Sequence, residues 1–146
     1  MPNTLHYVTN TPELWSDTDP VRPGLSVDFK TAPGRGVFGL QDEDGTWKAF
    51  LCFARTSEVP KNEQELDTLT SESGSICIPY TVWSHVRGAG REIISQVLDF
   101  VKTADMGISR VVTLSPITEM AKKFHLRNGA LLLSTNETTV NFEYPL

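Results

Sequence analysis

No run of apolar residues in this 146-residue sequence approaches the ~20 that a membrane-spanning helix needs, and no basic segment followed by an apolar one opens it. We therefore expect no membrane segment and a cytosolic protein. Cysteine is scarce: Cys52 and Cys77 both lie in apolar, strand-like segments, which predicts reduced, buried side chains. The three histidines lie far apart and no Cys-x-x-Cys occurs, so the sequence predicts no metal site.

Basic residues are also few, because 13 Lys and Arg oppose 18 Asp and Glu, for a net charge of −5. A general nucleic-acid binder needs a basic face, so this balance argues against one. It leaves room for a local basic pocket around a phosphorylated ligand, and it suits an amine-bearing substrate. The length and the 39% hydrophobic content fit one domain over residues 1–146, which can bury a core without disulfides or metals.

The first 36 residues are rich in Pro and Gly and show little helical periodicity. The residue pattern of Leu5–Thr9 predicts a short strand. Thr11-Pro12-Glu13 has the N-cap, first-turn proline and first-turn acid of a short helix that ends near Trp15. We expect residues 17–35 to form an ordered loop with one strand, Leu25–Phe29.

Beyond Gly36 the order of the elements is clearer. Short apolar or alternating segments separated by turn residues predict strands at 37–41, 47–55, 75–83, 110–114, 130–134 and 138–144. Residues 58–73 are polar and predict either a short helix starting near Pro60 or a mobile flap.

Two longer helices follow from apolar residues at helical spacing. The first runs from about Gly88 to Asp105 and is stopped by Gly107. The second is capped and started by Ser115-Pro116, ends at Gly129, and has a predicted buried face made of Ile117, Met120, Ala121 and Phe124. This order of elements predicts an α+β sheet with helices on its faces.

The most informative segment is the turn His85-Val86-Arg87-Gly88-Ala89-Gly90, which joins a strand to a helix. Exposed amides at a helix start attract anions, and glycines let a phosphate approach the backbone closely. The positive charges of Arg87 and Arg91 lie at the positive end of the helix dipole, which costs roughly 0.3–1 kcal/mol each. A bound anion would make their interaction with this site favourable, so the two arginines favour an anion site. The alternative is that both arginines point to solvent and the glycines only shape a turn. Neither a P-loop nor a dinucleotide fingerprint fits the spacing.

This turn resembles that of the GNAT acetyltransferase superfamily, which reads Gln/Arg-x-x-Gly-x-Gly/Ala. The glycines match at Gly88 and Gly90; the leading position is His85, and Arg87 is a substitute for it. A second match is the run from Ala121 to Ala130, which has the frame of the family's Asn-x-x-Ala-x-x-Leu-Tyr-x-x-x-Gly-Phe helix. The resemblance covers about 36–146, and two segments are also loosely similar to GNAT-related proteins encoded by bacteriophages.

The resemblance implies a mixed, mostly antiparallel sheet with helices on both faces and a splayed central strand pair. It implies that acetyl-CoA binds along the strand and turn, at Tyr80, Thr81, Val82, His85, Val86, Arg87, Gly88, Ala89, Gly90 and Arg91. Pro79 removes a hydrogen bond from a central strand and so favours a bulge there, which in the family opens the cleft for the thioester. An ordinary strand irregularity is the alternative.

The resemblance also implies that an amine attacks the thioester directly, with backbone N–H groups around Tyr80–Val82 holding the carbonyl oxygen. The family's tyrosine acid corresponds here to His125, and Tyr80 is a second candidate. The residues alone leave an alternative for each: His125 as a surface histidine beside a buried Phe124, and Tyr80 as a residue that packs in the core. No Asp or Glu occurs within 75–83, so Glu58, Glu72, His85 or a chain of waters remains as the base.

Three hypotheses follow. The first is an N-acetyltransferase that moves an acetyl group from acetyl-CoA to an amine-bearing small molecule or protein. The second is a catalytically silent module of the same fold that binds CoA or a protein partner. The third is a different α/β protein for a phosphate-bearing ligand. The sequence leaves the acceptor and the oligomeric state open, a homodimer included.

Overall fold

The computed structural model describes residues 3–16, 19–20, 22 and 24–146, and one sheet runs through them. Its two longest strands, of 10 and 9 residues, are neighbours near the middle of the sheet and are buried along most of their length. The strands are β1 (Thr4–Tyr7), β2 (Arg35–Gln41), β3 (Trp47–Thr56), β4 (Ile76–Ser84), β5 (Arg110–Val112), β6 (Ser115–Pro116), β7 (Leu131–Thr135) and β8 (Thr139–Tyr144).

The helices begin where a side chain can accept a backbone hydrogen bond. The Ser26 hydroxyl caps α1, the Asn62 amide oxygen caps α2 and the Thr118 hydroxyl caps α4, whereas α3 begins at a glycine in the left-handed region. The α-helices are α1 (Val27–Lys30), α2 (Glu63–Leu69), α3 (Ala89–Thr103) and α4 (Glu119–Arg127), and a 3-10 helix spans Pro12–Leu14. None of the helices in the described part of the chain is long and apolar enough to span a membrane.

The sheet is mixed and mostly antiparallel. Strands β1 to β4 pair in sequence as antiparallel neighbours, β4 then pairs with β5 in parallel, and β8 pairs antiparallel with β5, β6 and β7. The parallel pair requires a crossover connection, and α3 supplies it. The predicted α+β class is therefore confirmed.

Two buried clusters lie on opposite faces of this sheet. The apolar stripe of α3, with Ile93 and Val97, packs on one face against residues of the central strands. The other face is covered by α2 and by the N-terminal segment, which means here the described residues between β1 and β2. Leu66 of α2 and Trp15 of the N-terminal segment have no exposed surface. The helices thus occupy both faces, as expected, and the N-terminal segment is part of the core.

Two of the predicted elements are wrong. The segment Leu25–Phe29 was predicted as a strand, but the Ser26 hydroxyl accepts a hydrogen bond from the Phe29 amide, and this cap starts α1 instead. Ser115-Pro116 was predicted to start a helix, but these residues pair with β8 opposite Val140 and Thr139.

The second error has a consequence for the predicted buried face. The helix starts later, at the cap that Thr118 provides for the Ala121 amide. This rotates the buried stripe, so that His125 is buried while Ile117 is 53% and Met120 is 82% exposed. Residues 58–73 contain the short helix α2, with Asn62 as its cap, and do not form a flap. Within the loop predicted over 17–35, residues 17, 18, 21 and 23 lie outside the described residues.

A buried ion pair within the N-terminal segment is hydrogen-bonded to the sheet. Lys30 Nζ lies 2.7 Å from Asp19 Oδ2, and their side chains are 3% and 1% exposed. The second carboxylate oxygen of Asp19 accepts a hydrogen bond from the Thr81 hydroxyl of β4 at 2.9 Å. Removal of one partner from a buried pair leaves a charge without compensation, which costs far more than removal of an exposed charge.

We therefore predict that Lys30→Met lowers the free energy of unfolding by about 3–5 kcal/mol, because Asp19 keeps a buried negative charge without its cation. Urea denaturation measures the loss. The control Lys102→Met changes an exposed lysine in the last turn of α3 and should have an effect within about 0.5 kcal/mol. A loss below about 1 kcal/mol for Lys30→Met would contradict the prediction, and Asp19→Asn in the same chain should restore part of the stability.

Candidate functional site

The central strands β4 and β5 separate soon after they meet. They pair only at Ile76 with Arg110 and at Cys77 with Val111, and one further bond joins the Leu114 amide to the Pro79 carbonyl at 3.3 Å. Along β3, Phe53 pairs with Pro79 but Cys52 pairs with Thr81, so Tyr80 is an extra residue in β4. This is a β-bulge next to the predicted position, and it turns the rest of β4 away from β5.

The separated strands enclose a cleft of about 340 Å³. The second half of β4 forms one wall, and β6 with α4 forms the other. The described lining residues are Pro20, Pro79, Tyr80, Thr81, Val82, Trp83, Ser84, Gly90, Ser115, Pro116, Thr118, Met120, Ala121, Phe124 and His125. No Asp or Glu occurs among these described lining residues, so the cleft is largely apolar with a few hydroxyls and one imidazole.

The backbone of β4 offers hydrogen-bonding groups to this cleft. The His85 amide donates to the Lys48 carbonyl across the β3–β4 pair at 2.8 Å. Because hydrogen-bonded positions alternate along an antiparallel pair, Thr81 and Trp83 also face β3, while the N–H and C=O of Val82 and Ser84 face the open side. The N–H of Val82 lies within the Tyr80–Val82 segment predicted to hold a carbonyl oxygen.

One end of the cleft is the start of α3. Gly88 has φ of 86°, a left-handed conformation that glycine adopts without strain, and it ends the turn that redirects the chain. Among the described residues, no acceptor contacts the amides of Gly90 and Arg91. A side chain at Gly90 would meet the Phe124 ring at 3.2 Å, so glycine keeps this end of the cleft open. Residues His85 to Gly88 are exposed, as the anion-site prediction requires.

His125 is one of two titratable residues among the described ones that line the cleft, the other being Tyr80. His125 is 7% exposed, and its Nδ1 lies 2.7 Å from the Tyr144 hydroxyl. Burial lowers the pKa of His125 to about 4, so the imidazole is neutral at pH 7. The interpretation as a surface histidine beside a buried Phe124 is therefore wrong: His125 is buried and Phe124 is half-buried, because α4 begins later than predicted.

Tyr80, the second predicted acid, is held in the core. Its ring meets Phe29 edge-on, with ring centroids 5.8 Å apart, and its hydroxyl has no hydrogen-bond partner among the described residues. Burial raises the pKa of Tyr80 above its usual value, so the phenol stays protonated. A catalytic role for Tyr80 stays a prediction.

The other sequence candidates lie outside the cleft. Glu58, Glu72 and His85 do not line it, although Glu72 borders a separate cavity beside α3. Cys52 and Cys77 are buried free thiols, and burial raises the pKa of Cys77 to about 12. The described residues contain no group of three or more His, Cys, Asp or Glu able to hold a metal ion.

Ser115 is a cleft residue whose location sequence reasoning missed. The Thr113 hydroxyl accepts from the Phe142 amide at 3.1 Å and lies 2.8 Å from Ser115 Oγ, where either hydroxyl can donate. When Thr113 donates, the Ser115 proton is left for a group in the cleft. The sequence signal, Ser-Pro after an apolar segment, is typical of a helix start and concealed this position.

No protein-family model matches the sequence, and no curated protein matches it. Among solved structures, the GNAT-like decarboxylase GphF in complex with isobutyryl-CoA has a TM-score of 0.72 at 14% identity, covering 97% of this chain and 98% of that one. The PaiA N-acetyltransferase from Thermoplasma acidophilum, in complex with coenzyme A, has a TM-score of 0.66 at 9% identity over the full length of both chains.

A third neighbour is larger. Malonyl-CoA decarboxylase from Agrobacterium vitis has a TM-score of 0.68 at 20% identity, covering 84% of this chain but 35% of its own. At such identities the similarity shows a shared fold. The chain therefore has the GNAT fold that its two motifs predicted, including the splayed strand pair, whereas the likeness to phage-encoded members stays a prediction.

The environment of His125 predicts a specific pH dependence of stability. In the unfolded chain this residue binds a proton near pH 6.5, whereas the folded chain does so only near pH 4. As the pH falls through this window the unfolded state gains a proton first, so stability decreases, by about 3 kcal/mol in total. Urea midpoints measured from pH 7 to pH 4 should show that His125→Gln lacks this component, while His6→Gln, an exposed control, keeps it. Equal slopes for wild type and His125→Gln would contradict the prediction.

Proposed function

We propose that this chain is an acyltransferase that binds acetyl-CoA in the cleft and transfers the acetyl group to an amine acceptor. The observation that carries the proposal is the fork after Pro79, where β4 leaves β5 and opens a cleft that ends at the amides of α3. An elongated ligand with an anionic part and an apolar, amide-containing arm matches this site. The structural neighbours in complex with coenzyme A or isobutyryl-CoA support a ligand of this class.

In this proposal the diphosphate of acetyl-CoA binds the free amides of Gly90 and Arg91, with Arg87 and Arg91 supplying positive charge. The pantetheine arm lies along β4 and pairs with the backbone groups of Val82 and Ser84. The thioester carbonyl then accepts a hydrogen bond from the Val82 N–H, which stabilises the negative charge that develops on its oxygen during attack.

The reaction would proceed by direct attack. The nitrogen of a neutral amine forms a bond to the thioester carbon, the carbon–sulfur bond breaks, and the amine proton is released while the thiolate gains one. His125 is the group suited to these proton transfers, because its Nδ1 is engaged with Tyr144 and its Nε2 is left for the substrate. A thiolate that develops nearby would raise the low pKa of His125. The imidazole would then hold a proton more readily while the carbon–sulfur bond breaks.

A second candidate is decarboxylation of a carboxyacyl-CoA. The specific observation in its favour is that no described carboxylate lines the cleft to deprotonate an ammonium. In decarboxylation the bond between the α-carbon and the carboxylate breaks, CO₂ leaves, and the electron pair forms a thioester enolate that takes a proton. This reaction needs an oxyanion donor and a proton donor, which Val82 N–H and His125 or Ser115 would supply. Two of the neighbours described above are named as decarboxylases.

The catalytically silent alternative predicts binding without turnover. An amine-bearing small molecule or protein as acceptor, a homodimer and a cytosolic location all stay predictions that accompany the proposal.

Binding is tested first. Acetyl-CoA should raise the thermal unfolding midpoint of the wild type, since a ligand of the folded state stabilises it by mass action. Gly90→Leu should abolish this shift, because its side chain would press on Phe124 and fill the end of the cleft. Gly24→Leu is the matched control, since a side chain there meets nothing within 4 Å. If wild type is not stabilised by acetyl-CoA, malonyl-CoA or CoA, the proposal is wrong.

Turnover is tested by mass spectrometry with two substrates. Acetyl-CoA and a panel of amines should yield acetylated amine and free CoA; malonyl-CoA converted to acetyl-CoA without thiol release would instead identify the decarboxylase. In either case His125→Gln should lower kcat by about 100-fold or more with acyl-CoA affinity nearly unchanged, because a proton-transfer group is lost. His6→Gln, at an exposed position away from the cleft, should leave kcat unchanged. An His125→Gln enzyme with wild-type kcat would exclude the role assigned to His125.

A further inference from the structure

The fork between β4 and β5 leaves two backbone carbonyls facing each other across a gap. The last cross-strand bond runs from the Leu114 amide to the Pro79 carbonyl. The next carbonyls along the two segments, those of Tyr80 and Leu114, no longer have a partner on the opposite strand. A buried carbonyl without a partner costs about 1–3 kcal/mol, so a fork in a sheet interior needs a donor from elsewhere.

Arg22 supplies that donor from the N-terminal segment. Its Nε donates to the Tyr80 carbonyl at 2.8 Å, and its Nη2 donates to the Leu114 carbonyl at 2.7 Å. One planar guanidinium therefore bridges both strands at the point where they part, and its side chain is only 10% exposed. Because the donor positions within a guanidinium are rigid, the group fixes the distance between the two carbonyl oxygens.

Arg22 is itself anchored at two positions. Its Nη1 donates to Glu63 Oε2 at the start of α2, at 2.7 Å. Its backbone amide donates at 3.0 Å to Asp19 Oδ1, the same oxygen that accepts from the Thr81 hydroxyl on β4. The Glu63 contact thus orients the guanidinium, and the Asp19 contact holds the backbone of Arg22, so both parts of the residue are fixed by protein groups.

We infer that Arg22 is a positioning residue that clamps the fork at Pro79 and so sets the width of the cleft. It acts on the backbone of β4 and contributes no atom to the reaction. The functional part of this inference rests on the proposed binding of an acyl-CoA, whose thioester would lie beside Val82, two residues beyond the clamped carbonyl. The structural part, the fixed position of the fork, stands independently of any ligand.

A matched control is available in Arg55. Its guanidinium also bridges two backbone carbonyls, donating to those of Gly74 at 2.9 Å and Met106 at 2.5 Å, but it borders the cavity beside α3 and not the cleft. Arg22→Met and Arg55→Met therefore remove the same chemistry at two places. Arg22→Lys keeps the charge and loses the planar pair of donors.

The first readout is ligand affinity by calorimetry, with acetyl-CoA and with adenosine 3′,5′-bisphosphate, which represents the nucleotide end alone. Arg22→Met and Arg22→Lys should both weaken acetyl-CoA binding by about tenfold or more, because the β4 groups that pair with the thioester arm shift. Both should bind the bisphosphate within about twofold of wild type, as should Arg55→Met for both ligands. Equal losses for Arg22→Met and Arg55→Met, or full affinity in Arg22→Lys, would overturn the positioning role.

The second readout needs no ligand. Hydrogen exchange of the Leu114 amide, the last donor before the fork, should be about tenfold faster in Arg22→Met than in wild type, and unchanged in Arg55→Met. If the wild type binds neither ligand, the proposed function fails while this exchange measurement still decides on the clamp. An unchanged Leu114 rate in Arg22→Met would show that Arg22 does not hold the fork.

Discussion

The structure depends above all on the bulge at Tyr80 and the proline before it. A central strand is normally paired on both sides along its length, and a bulge interrupts this without cutting the strand. Here β4 keeps its pairing with β3 on both sides of Tyr80, whereas its pairing with β5 ends. One additional residue therefore converts a continuous sheet into a sheet with an internal cleft, and it does so where the core on both faces is well packed.

The chemistry open to this cleft follows from what is buried in it. A histidine that burial keeps neutral can exchange a proton without bringing a permanent charge into an apolar site. Its hydrogen bond with Tyr144 links it to β8, so the position of the ring is determined by the sheet and not only by α4. With no described carboxylate nearby, an acceptor amine would have to arrive neutral or lose its proton to His125 or water. A reaction that generates its own anion, such as decarboxylation, makes no such demand.

Many of the strands and helices were predictable from the sequence, because their local sequence patterns agree with their tertiary contacts. The strands around the turn at Gly45, the strand before His85 and the helix after Gly88 have local patterns that burial reinforces, and the turn between the last two was marked by its two closely spaced glycines. The start of α4 was not predictable in this way. Ser115-Pro116 has the local features of a helix start, but β8 offers Ser115 and Pro116 a partner that only the tertiary structure brings near, and the later Thr118 cap then decides which residues are buried. The exposure of His125 was misjudged for the same reason.

The N-terminal segment shows a different limit of sequence reasoning. Its role depends on polar contacts with residues roughly 60 to 90 positions away, from Asp19 to Thr81 and from Arg22 to Leu114, and no periodicity marks such contacts. The segment replaces what an ordinary sheet would obtain from strand pairing, because it satisfies carbonyls that the fork leaves without partners. A fork in the middle of a sheet is stable only if the freed groups are paired again, so the segment and the cleft must be considered together.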